Sequence, residues 1–464
     1  MRVTTARRLA YFIQFCLGSV FGLYINTYLL DLGKAMSQSL GGNADPKLLG
    51  VGALFFCFFL EYWLNLVSGA LGQIRERWVF VTSFTLRGAF ALLVALTTTQ
   101  LTATPWGAVP GALLAMACFA VAFTLFAGNW MAWLQRQADG YEPRPDNRRF
   151  VWNDTCRYAG AVAGATAAVL LPAAPAWPHY LAGAAICFPV ALLCLMLPTR
   201  AAADQTAGPS PAAASRPVGL IEQLTQTVRR GRQALCGLPV LNRTLTGAAW
   251  VYGTYIALEA VVPIVFLSRF PQDASDRTTK ERLLVLAVLV GCQFLPAMLG
   301  ALSIAVVARR RDEGYTTTLP QLRIETAVFG GVCVLPAAAS LFSDSVAELW
   351  LAGAAVFVAR FWQARLAPQY MSFNSGIANR QPGVGNVLLA VGERRNTVAA
   401  MLVLALVASS SFVVPAGVQA AAQKAHYLYW AVAAAAAGLV LYALAVLREP
   451  ALVPEQPLPE EVNA

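Results

Sequence analysis

The sequence predicts an all-α polytopic membrane protein with twelve transmembrane helices in two pseudo-symmetric six-helix bundles. Of its 464 residues, 58% are apolar and only 12% are charged, whereas a soluble domain carries about 25% charged residues. The mean hydropathy is +0.57. Apolar stretches of roughly 20 residues recur along the chain, and a helix of that length crosses a hydrocarbon core about 30 Å thick.

Hydropathy places twelve spans along the chain, several of them flanked by aromatic residues of the kind that anchor helices at a membrane interface. The first apolar run is too long for the core of a cleavable signal peptide, so we interpret it as the first span. The predicted spans are Leu9–Leu30, Leu48–Gly72, Trp78–Thr98, Gly107–Leu134, Cys156–Ala173, Trp177–Pro198, Thr244–Leu267, Leu283–Ala308, Ile324–Phe342, Glu348–Phe373, Thr397–Val418 and His426–Leu447.

The basic residues predict the orientation of the chain in the membrane. Most of the 34 Lys and Arg residues fall in connections on the side that holds both termini, and such residues concentrate on the cytoplasmic side. We therefore expect both termini in the cytoplasm and the protein in the inner or plasma membrane. The formal net charge of +10 is then explained by anionic lipid, without a nucleic-acid partner.

A long hydrophilic stretch divides the spans six and six. We assign residues 1–199 to an N-terminal bundle, 200–243 to a cytoplasmic linker, 244–448 to a C-terminal bundle and 449–464 to a cytoplasmic tail. The linker begins with an Ala, Pro and Ser-rich segment, Ala201–Pro217, which is typical of a flexible connection. Its second part has apolar residues at helical spacing beside Arg229, Arg230 and Arg232, which predicts a helix at the membrane interface.

Local similarities between the two halves indicate an internal repeat. Gly69–Leu71 at the end of span 2 and Gly300–Leu302 at the end of span 8 both read Gly-Ala-Leu before a basic loop. A pair of arginines stands before span 5 at Arg148–Arg149 and before span 11 at Arg394–Arg395. Two six-helix units related by an axis along the membrane normal would place these features in equivalent positions. Chance similarity is the alternative explanation, because the sequence is dominated by a few apolar residue types.

The loop after span 2 carries a family resemblance. The segment Gly69-Ala70-Leu71-Gly72-Gln73-Ile74-Arg75-Glu76-Arg77 resembles the Gly-x-Leu-x-Asp-Arg-x-Gly-Arg-Arg signature of the major facilitator superfamily. The Gly and Leu positions and the basic character match, but Gln73 stands in place of the acid and Ile74 in place of the following arginine.

This resemblance implies a substrate cavity between two helical bundles and alternating access by rocking of the halves. It also implies that Gly69, Arg75 and Arg77 belong to a gating loop. Gln73 is not acidic, so it does not supply the negative charge of the charge-relay latch that the family forms between spans 2 and 11.

Five charged residues fall inside predicted spans and away from the span ends. Glu61, Arg87 and Arg360 lie near the bilayer midplane, and Glu259 and Arg365 lie slightly off it. A charge at that depth costs about 2.5–3.5 kcal/mol on insertion scales, so it normally faces a cavity or an opposite charge. Two interpretations remain open: a structural pair such as Glu61 with Arg87, or arginines that bind an anionic solute while Glu61 or Glu259 carries a proton.

Charged groups near span ends are interpreted differently. Asp31, at the outer end of span 1, and Glu325, at the inner end of span 9, are expected to be solvated at the interface.

Polar and aromatic residues mark spans 1, 4, 7 and 10 as candidate substrate-contacting helices. Trp130 and Trp133 share one side of span 4, and Trp362 lies between the two arginines of span 10. Aromatic faces beside guanidinium groups suit an amphipathic or aromatic solute with an acidic group, although packing or interfacial anchoring also explains the tryptophans. Asn26 in span 1 and Tyr255 in span 7 add neutral hydrogen-bonding groups, which could instead bond between helices.

Together these features predict a secondary active transporter for a small organic solute, anionic or amphipathic, coupled to protons or another ion. A broad-specificity exporter of amphipathic compounds and a lipid-handling carrier stay open as alternatives. An enzyme is not expected, because the sequence has two histidines, nine cysteines without metal-type spacing, and no phosphate-binding GxxxxGK[ST] loop. We expect no cofactor and no metal, contact with membrane lipid, and a monomer.

Overall fold

The computed structural model describes residues 3–24, 28–42, 44, 46–104, 107–138, 148–170, 177–198, 219–262, 290–309, 318–335, 346–381, 383–412 and 421–447. Within these residues the chain forms fourteen α-helices, a 3₁₀ turn at Leu101–Ala103 and a π-helical segment at Val290–Phe294. The α-helices are α1 (Val3–Tyr24), α2 (Tyr28–Ser39), α3 (Pro46–Ile74), α4 (Glu76–Thr99), α5 (Ala108–Ala138), α6 (Arg148–Leu170), α7 (Trp177–Cys194), α8 (Leu220–Cys236), α9 (Pro239–Val262), α10 (Leu295–Arg309), α11 (Leu319–Val332), α12 (Val346–Asn379), α13 (Gly385–Phe412) and α14 (Ala421–Val446).

A helix occupies part of every predicted span, and α8 forms where the linker sequence has helical spacing. By length and composition, four described helices are apolar enough to cross a membrane: α3, α4, α5 and α7. Several of the others carry charged and amide side chains, which lower their hydropathy. In α12 many of these groups are buried against neighbouring helices.

Two predicted spans differ from the helices observed. The first span was expected to be one segment, but α1 ends at Tyr24 and α2 runs from Tyr28 to Ser39. The fifth span was expected to begin at Cys156, but α6 begins eight residues earlier, at Arg148. Hydropathy excludes this first part of α6 because it contains Arg148–Arg149 and Asp154. Asp154 is nevertheless buried, because its helix face packs inside the protein.

Close packing of α1 against α6 fixes the position of this polar helix end. A Cβ atom on Gly18 would lie 1.8 Å from the carbonyl oxygen of Arg157, and one on Gly164 would lie 2.0 Å from the carbonyl oxygen of Ser19. Only glycine fits such approaches, which are typical of membrane helices that pack through small residues. The backbone at Arg157 is therefore held against α1.

The two halves meet through a small set of helix pairs. The helix α3 of the first half packs on α13 of the second, and α6 packs on α10. The helix α5 contacts both α12 and α13. The predicted repeat relates span 2 (α3) to span 8 (α10) and span 11 (α13) to span 5 (α6). It would therefore relate the α3–α13 contact to the α6–α10 contact.

Candidate functional site

Arg360, on α12, lies where the two halves face each other. Its Nε donates to the carbonyl oxygen of Gln293 at 3.1 Å, and its Nη1 donates to Oε1 of Gln363 at 2.7 Å. The guanidinium carbon is 4.0 Å from the ring centroid of Tyr255 and 5.3 Å from that of Tyr158. Tyr255 belongs to α9 of the second half and Tyr158 to α6 of the first, so this buried cation contacts both halves.

A second set of charges, Asp154 and Arg157 on α6, completes this cluster, and Asp154 precedes the span that hydropathy predicted. Arg157 pairs with Asp154 at 3.5 Å and donates to the hydroxyl of Tyr158 at 3.2 Å. Asp154 is buried, is electrostatically coupled to both Arg157 and Arg360, and has an Oδ2 atom without a hydrogen-bond partner in the described part of the chain. The spacing of three residues between Asp154 and Arg157 is the one sequence signal of this pair.

The chemistry of the Arg360 cluster suits an anion with an adjoining apolar or aromatic group. Guanidinium groups present planar, fixed donors that match carboxylate and phosphate oxygens. The faces of Tyr158 and Tyr255 provide apolar walls, and the amide of Gln363 adds a neutral polar group. We use the name Arg360 cluster for Asp154, Arg157, Tyr158, Tyr255, Gln293, Arg360 and Gln363.

Arg365 does not belong to this cluster. Its Nε and Nη2 donate to the two carboxylate oxygens of Glu325 at 3.1 and 3.0 Å, and its Nη1 donates to Ser303 at 3.2 Å. Gln369 donates to the same carboxylate at 2.7 Å. Arg365 therefore joins α10, α11 and α12 through a satisfied ion pair. The donors of Arg365 are engaged within the second half, and its contact with solute stays a prediction. Glu325 is buried, which corrects the expectation that it is solvated at an interface.

The tryptophans of α5 are not members of the Arg360 cluster, although Asn153 joins Trp130 to Asp154 through two hydrogen bonds. Trp130 and Trp133 are fully buried in the core of the first half, 5.0 Å apart and stacked, and both contact Phe80. The indole of Trp130 donates to Asn153 at 2.8 Å, and that of Trp133 donates to the carbonyl oxygen of Pro198 at 2.9 Å. Neighbouring side chains enclose both rings in this structure, and the contact of these tryptophans with solute stays a prediction.

Trp362 lies beside the structural ion pair and not beside Arg360. Its ring centroid is 5.4 Å from the guanidinium of Arg365, and it packs on the core of the second half. Its contact with solute stays a prediction as well.

Arg87 and Glu61 do not pair with each other within the described residues. The guanidinium of Arg87 is buried against the rings of Phe84 and Phe126, at 5.9 and 5.5 Å, and its Nε has no described hydrogen-bond partner. These contacts lie inside the first half. The structure therefore gives no contact between Arg87 and the Arg360 cluster.

Glu61, on α3, faces α13 across the interface between the halves. Its Oε2 accepts from the hydroxyl of Thr397 at 3.5 Å, and its Oε1 accepts from the thiol of Cys57 at 3.4 Å. Asn65 donates to Thr397 at 3.4 Å. All three groups are neutral, so the described contacts of this buried carboxyl include no ion pair. Arg87 and Glu393 are the charged groups electrostatically coupled to it.

A polar network joins the halves at the side of the molecule where the α3–α4 loop lies, called the loop side. Asn386 of α13 donates to Asn129 of α5 at 2.7 Å and accepts from Arg136 at 2.8 Å. Arg136 also forms an ion pair with Glu76. The backbone N–H of Asn386 lies 3.5 Å from Oε1 of Gln73. Gln73, which stands where the family signature has an acid, therefore accepts a hydrogen bond from α13. Glu76 supplies the negative charge in this network.

The predicted gating residues divide into two groups. A Cβ atom on Gly69 would lie 2.6 Å from the Cβ of Ala390, so Gly69 stands at the closed contact between α3 and α13. Arg75 and Arg77 are exposed and take no part in the described network. Their role in gating stays a prediction.

Two predicted site residues cannot be located. Asn26 lies outside the described residues, and Glu259 lies in α9 at a position whose side chain is not described. Among the side chains that the structure describes, no group of three His, Cys, Asp or Glu residues is placed to hold a metal ion.

Comparisons with known proteins identify the fold. No family model and no curated protein matches the sequence. A bacterial homologue of the iron transporter ferroportin, solved in an outward-facing state, superposes with a TM-score of 0.61 at 12% identity, over 96% of this chain and 99% of that one.

Two further solved structures have the same architecture. The proton:xylose symporter of the major facilitator superfamily superposes with a TM-score of 0.60 at 13% identity, over 96% of each chain. The human organic anion transporter MFSD10 superposes with a TM-score of 0.56 at 13% identity, over 96% of this chain and all of that one. The chain therefore has the major facilitator superfamily fold, which confirms the predicted fold class and the resemblance.

Proposed function

We propose that this protein is a secondary active transporter that carries a small organic anion between its two halves by alternating access. The observation that carries the proposal is the position of Arg360, a buried cation on α12 that contacts Tyr158 of the first half and Tyr255 of the second. A solute bound there would touch both halves, so its binding would respond to their relative movement.

The Arg360 cluster also contains its own anion. Asp154 neutralises Arg157 and is electrostatically coupled to Arg360. One carboxylate faces two guanidinium groups here, so the described cluster has a formal charge of +1, which one bound monovalent anion would balance. Burying a cation without a partner is costly, and Asp154 reduces that cost while no solute is bound.

The comparisons support the same assignment. The solved structures of similar fold include a proton symporter and an organic anion transporter. The loop side is closed by the contacts of Asn386 and Gly69, and one of the similar structures is outward-facing. If the loop side is cytoplasmic, as the positive charges predict, the present arrangement corresponds to an outward-facing state.

Glu61 is the leading candidate to couple transport to a proton gradient. Its carboxyl is held by neutral groups, so it can take up or release a proton without breaking a described ion pair. One of those groups, Thr397, lies in the other half. The protonation state of Glu61 would therefore change a contact that must open and close as the halves rock.

The test is transport by purified protein reconstituted into liposomes. A panel of carboxylates, sulfonates and phosphate monoesters, each with a neutral analogue of the same size, is screened by competition for counterflow. We expect the anions to compete and Arg360→Ala to weaken their binding roughly ten- to hundredfold, because a hydrogen bond to a charged group contributes about 1.5–3 kcal/mol. Arg360→Lys should recover only part, because an ammonium group lacks the planar fork.

Arg380→Ala is the matched control, because Arg380 follows the end of the same helix and is exposed. It should leave transport and abundance unchanged. Equal competition by anions and their neutral analogues would favour the broad exporter of amphipathic compounds. Unchanged anion binding in Arg360→Ala protein of normal abundance would refute the proposed contact.

A further inference from the structure

A basic groove lies outside the Arg360 cluster, beneath the linker helix α8. Its volume is about 670 Å³, and it is bounded by α3 from the first half, by α9 and α13 from the second, and by α8. Three arginines line it, Arg232 on α8 and Arg394 and Arg395 on α13. Because its walls come from both halves and the linker, a molecule bound here would bridge all three parts of the chain.

The polarity of the groove changes along its length. On α9, Asn242 and Thr246 line the end near α8, and Ala249 and Trp250 follow further along the helix. On α13 the arginines are followed by Val398, Ala399 and Leu402, and Leu402 is 55% exposed on the outer surface. The groove is therefore basic at the loop side and apolar towards the middle of the molecule. A site for a fully water-soluble anion would not need this apolar extension.

The arginines of the groove are positioned by neutral groups. The guanidinium of Arg394 lies 3.9 Å from the ring centroid of Tyr62, and its buried Nε has no hydrogen-bond partner in the described part of the chain. Arg395 donates to the carbonyl and side-chain oxygens of Asn242 and to the hydroxyl of Thr246, at 2.5–2.7 Å. Across the described residues, no carboxylate forms an ion pair with any of the three arginines. The groove thus holds uncompensated positive charge.

The helix α8 has the features of a helix that lies on a membrane surface. Leu220 and Ile221 are exposed apolar residues at its start, and Arg229 and Arg230 are exposed further along it. Gly231 lets the helix approach α13, since a Cβ atom there would lie 2.5 Å from a methyl carbon of Val387. This contact holds Arg232 over the basic end of the groove.

We propose that this groove binds an anionic phospholipid from the leaflet on the loop side. The phosphate would lie among Arg232, Arg394 and Arg395, and an acyl chain would follow Trp250 and Leu402 towards the bilayer middle. Charge complementarity and the polarity gradient together identify a lipid as the occupant. The bound lipid would join α3 to α13, so it would stabilise the arrangement in which the loop side is closed.

Binding is measured on the full-length protein in detergent, with phosphatidylglycerol, phosphatidylcholine or glycerol phosphate added at equal concentration. The readouts are the lipid-bound fraction by native mass spectrometry and the shift in melting temperature. We expect tight binding of phosphatidylglycerol, at least tenfold weaker binding of phosphatidylcholine, and no shift with glycerol phosphate. These measurements need no transported substrate, so they test lipid binding independently of the proposed function.

The variants are Arg232→Gln, Arg394→Gln and their combination, with Arg230→Gln as the control of equal charge change on α8. The combination should bind phosphatidylglycerol about tenfold or more weakly, and the control should bind it like the natural protein. Arg232 is exposed, so Arg232→Gln should fold, and it keeps the test valid if Arg394→Gln fails to fold. Equal binding of the two lipids, an equal loss in the control, or a response to glycerol phosphate alone would each overturn the lipid site.

Discussion

Arg360 and Arg365 lie five residues apart on α12 and have the same charge, yet their surroundings differ. Arg365 is fully engaged by Glu325 and Ser303, both in the second half. Arg360 lies against the rings of Tyr158 and Tyr255 at the interface between the halves, and its described hydrogen bonds go to the neutral oxygens of Gln293 and Gln363.

This difference shows that the depth of a charge in the membrane does not by itself assign its role. A bidentate ion pair inside one half stays intact when the halves move, so it contributes to stability. A cation that contacts both halves changes its surroundings during that movement, so it can couple solute binding to a conformational change. The partner of each arginine, not its position in the span, separates the two roles.

The largest expected effect concerns the structural pair. Arg365→Ala leaves the buried carboxylate of Glu325 without its cation, and the loss of one partner of a buried pair typically costs about 3–5 kcal/mol. We expect a strong loss of monodisperse protein in fluorescence-detected size-exclusion chromatography and a lower melting temperature. Arg360→Ala should change both by much less.

The control for this prediction is the double variant Glu325→Gln with Arg365→Leu. It removes both charges while Gln369 can still donate to the new amide oxygen, so it should recover most of the folded protein. Equal losses for Arg360→Ala and Arg365→Ala would contradict the distinction between the two arginines.

A second prediction sharpens the comparison at Glu61, which like Arg360 faces the other half. Glu61→Gln keeps the shape of the side chain but cannot titrate. We expect it to retain substrate counterflow within about twofold and to lose accumulation driven by a pH gradient, because exchange needs no net proton movement. Both assays use the same liposomes.

Glu222→Gln, on the exposed surface of α8, is the control and should accumulate substrate normally. Normal accumulation by Glu61→Gln would remove Glu61 as the coupling group and leave Glu259 as the predicted alternative. A loss of counterflow in step with abundance would instead assign Glu61 a structural role.

The fold was largely predictable because hydropathy reports the length of each apolar helix directly. Hydropathy did not predict the start of α6, because the polar residues before Cys156 are buried by contacts with other helices. Such burial depends on the close approach of α1 through Gly18 and Gly164. Neither glycine reveals its partner through local sequence, so the start of this helix could not be predicted.

The candidate site was predictable only in part. Arg360 was identified by its depth, but the same criterion also selected Arg365, whose partner Glu325 is 40 residues away in sequence. Asp154, Arg157 and Tyr158 were missed because the contact of Tyr158 with Arg360 joins distant parts of the chain. Trp130 and Trp133 were selected for their aromatic surface, which serves equally well in a packed core.

The smallest expected effect concerns Trp130, a buried and uncharged side chain in the core of the first half. Trp130→Phe removes the indole N–H that donates to Asn153 at 2.8 Å. A buried acceptor left without its donor costs about 1–3 kcal/mol, so we expect a modestly lower melting temperature. Substrate affinity in counterflow should change by less than about twofold, because Trp130 lies in the core of the first half and not in the Arg360 cluster. Trp133→Phe, which removes the hydrogen bond to Pro198, should behave in the same way. A change in substrate preference at unchanged stability would place these rings on the transport path and would contradict their assignment to the packed core.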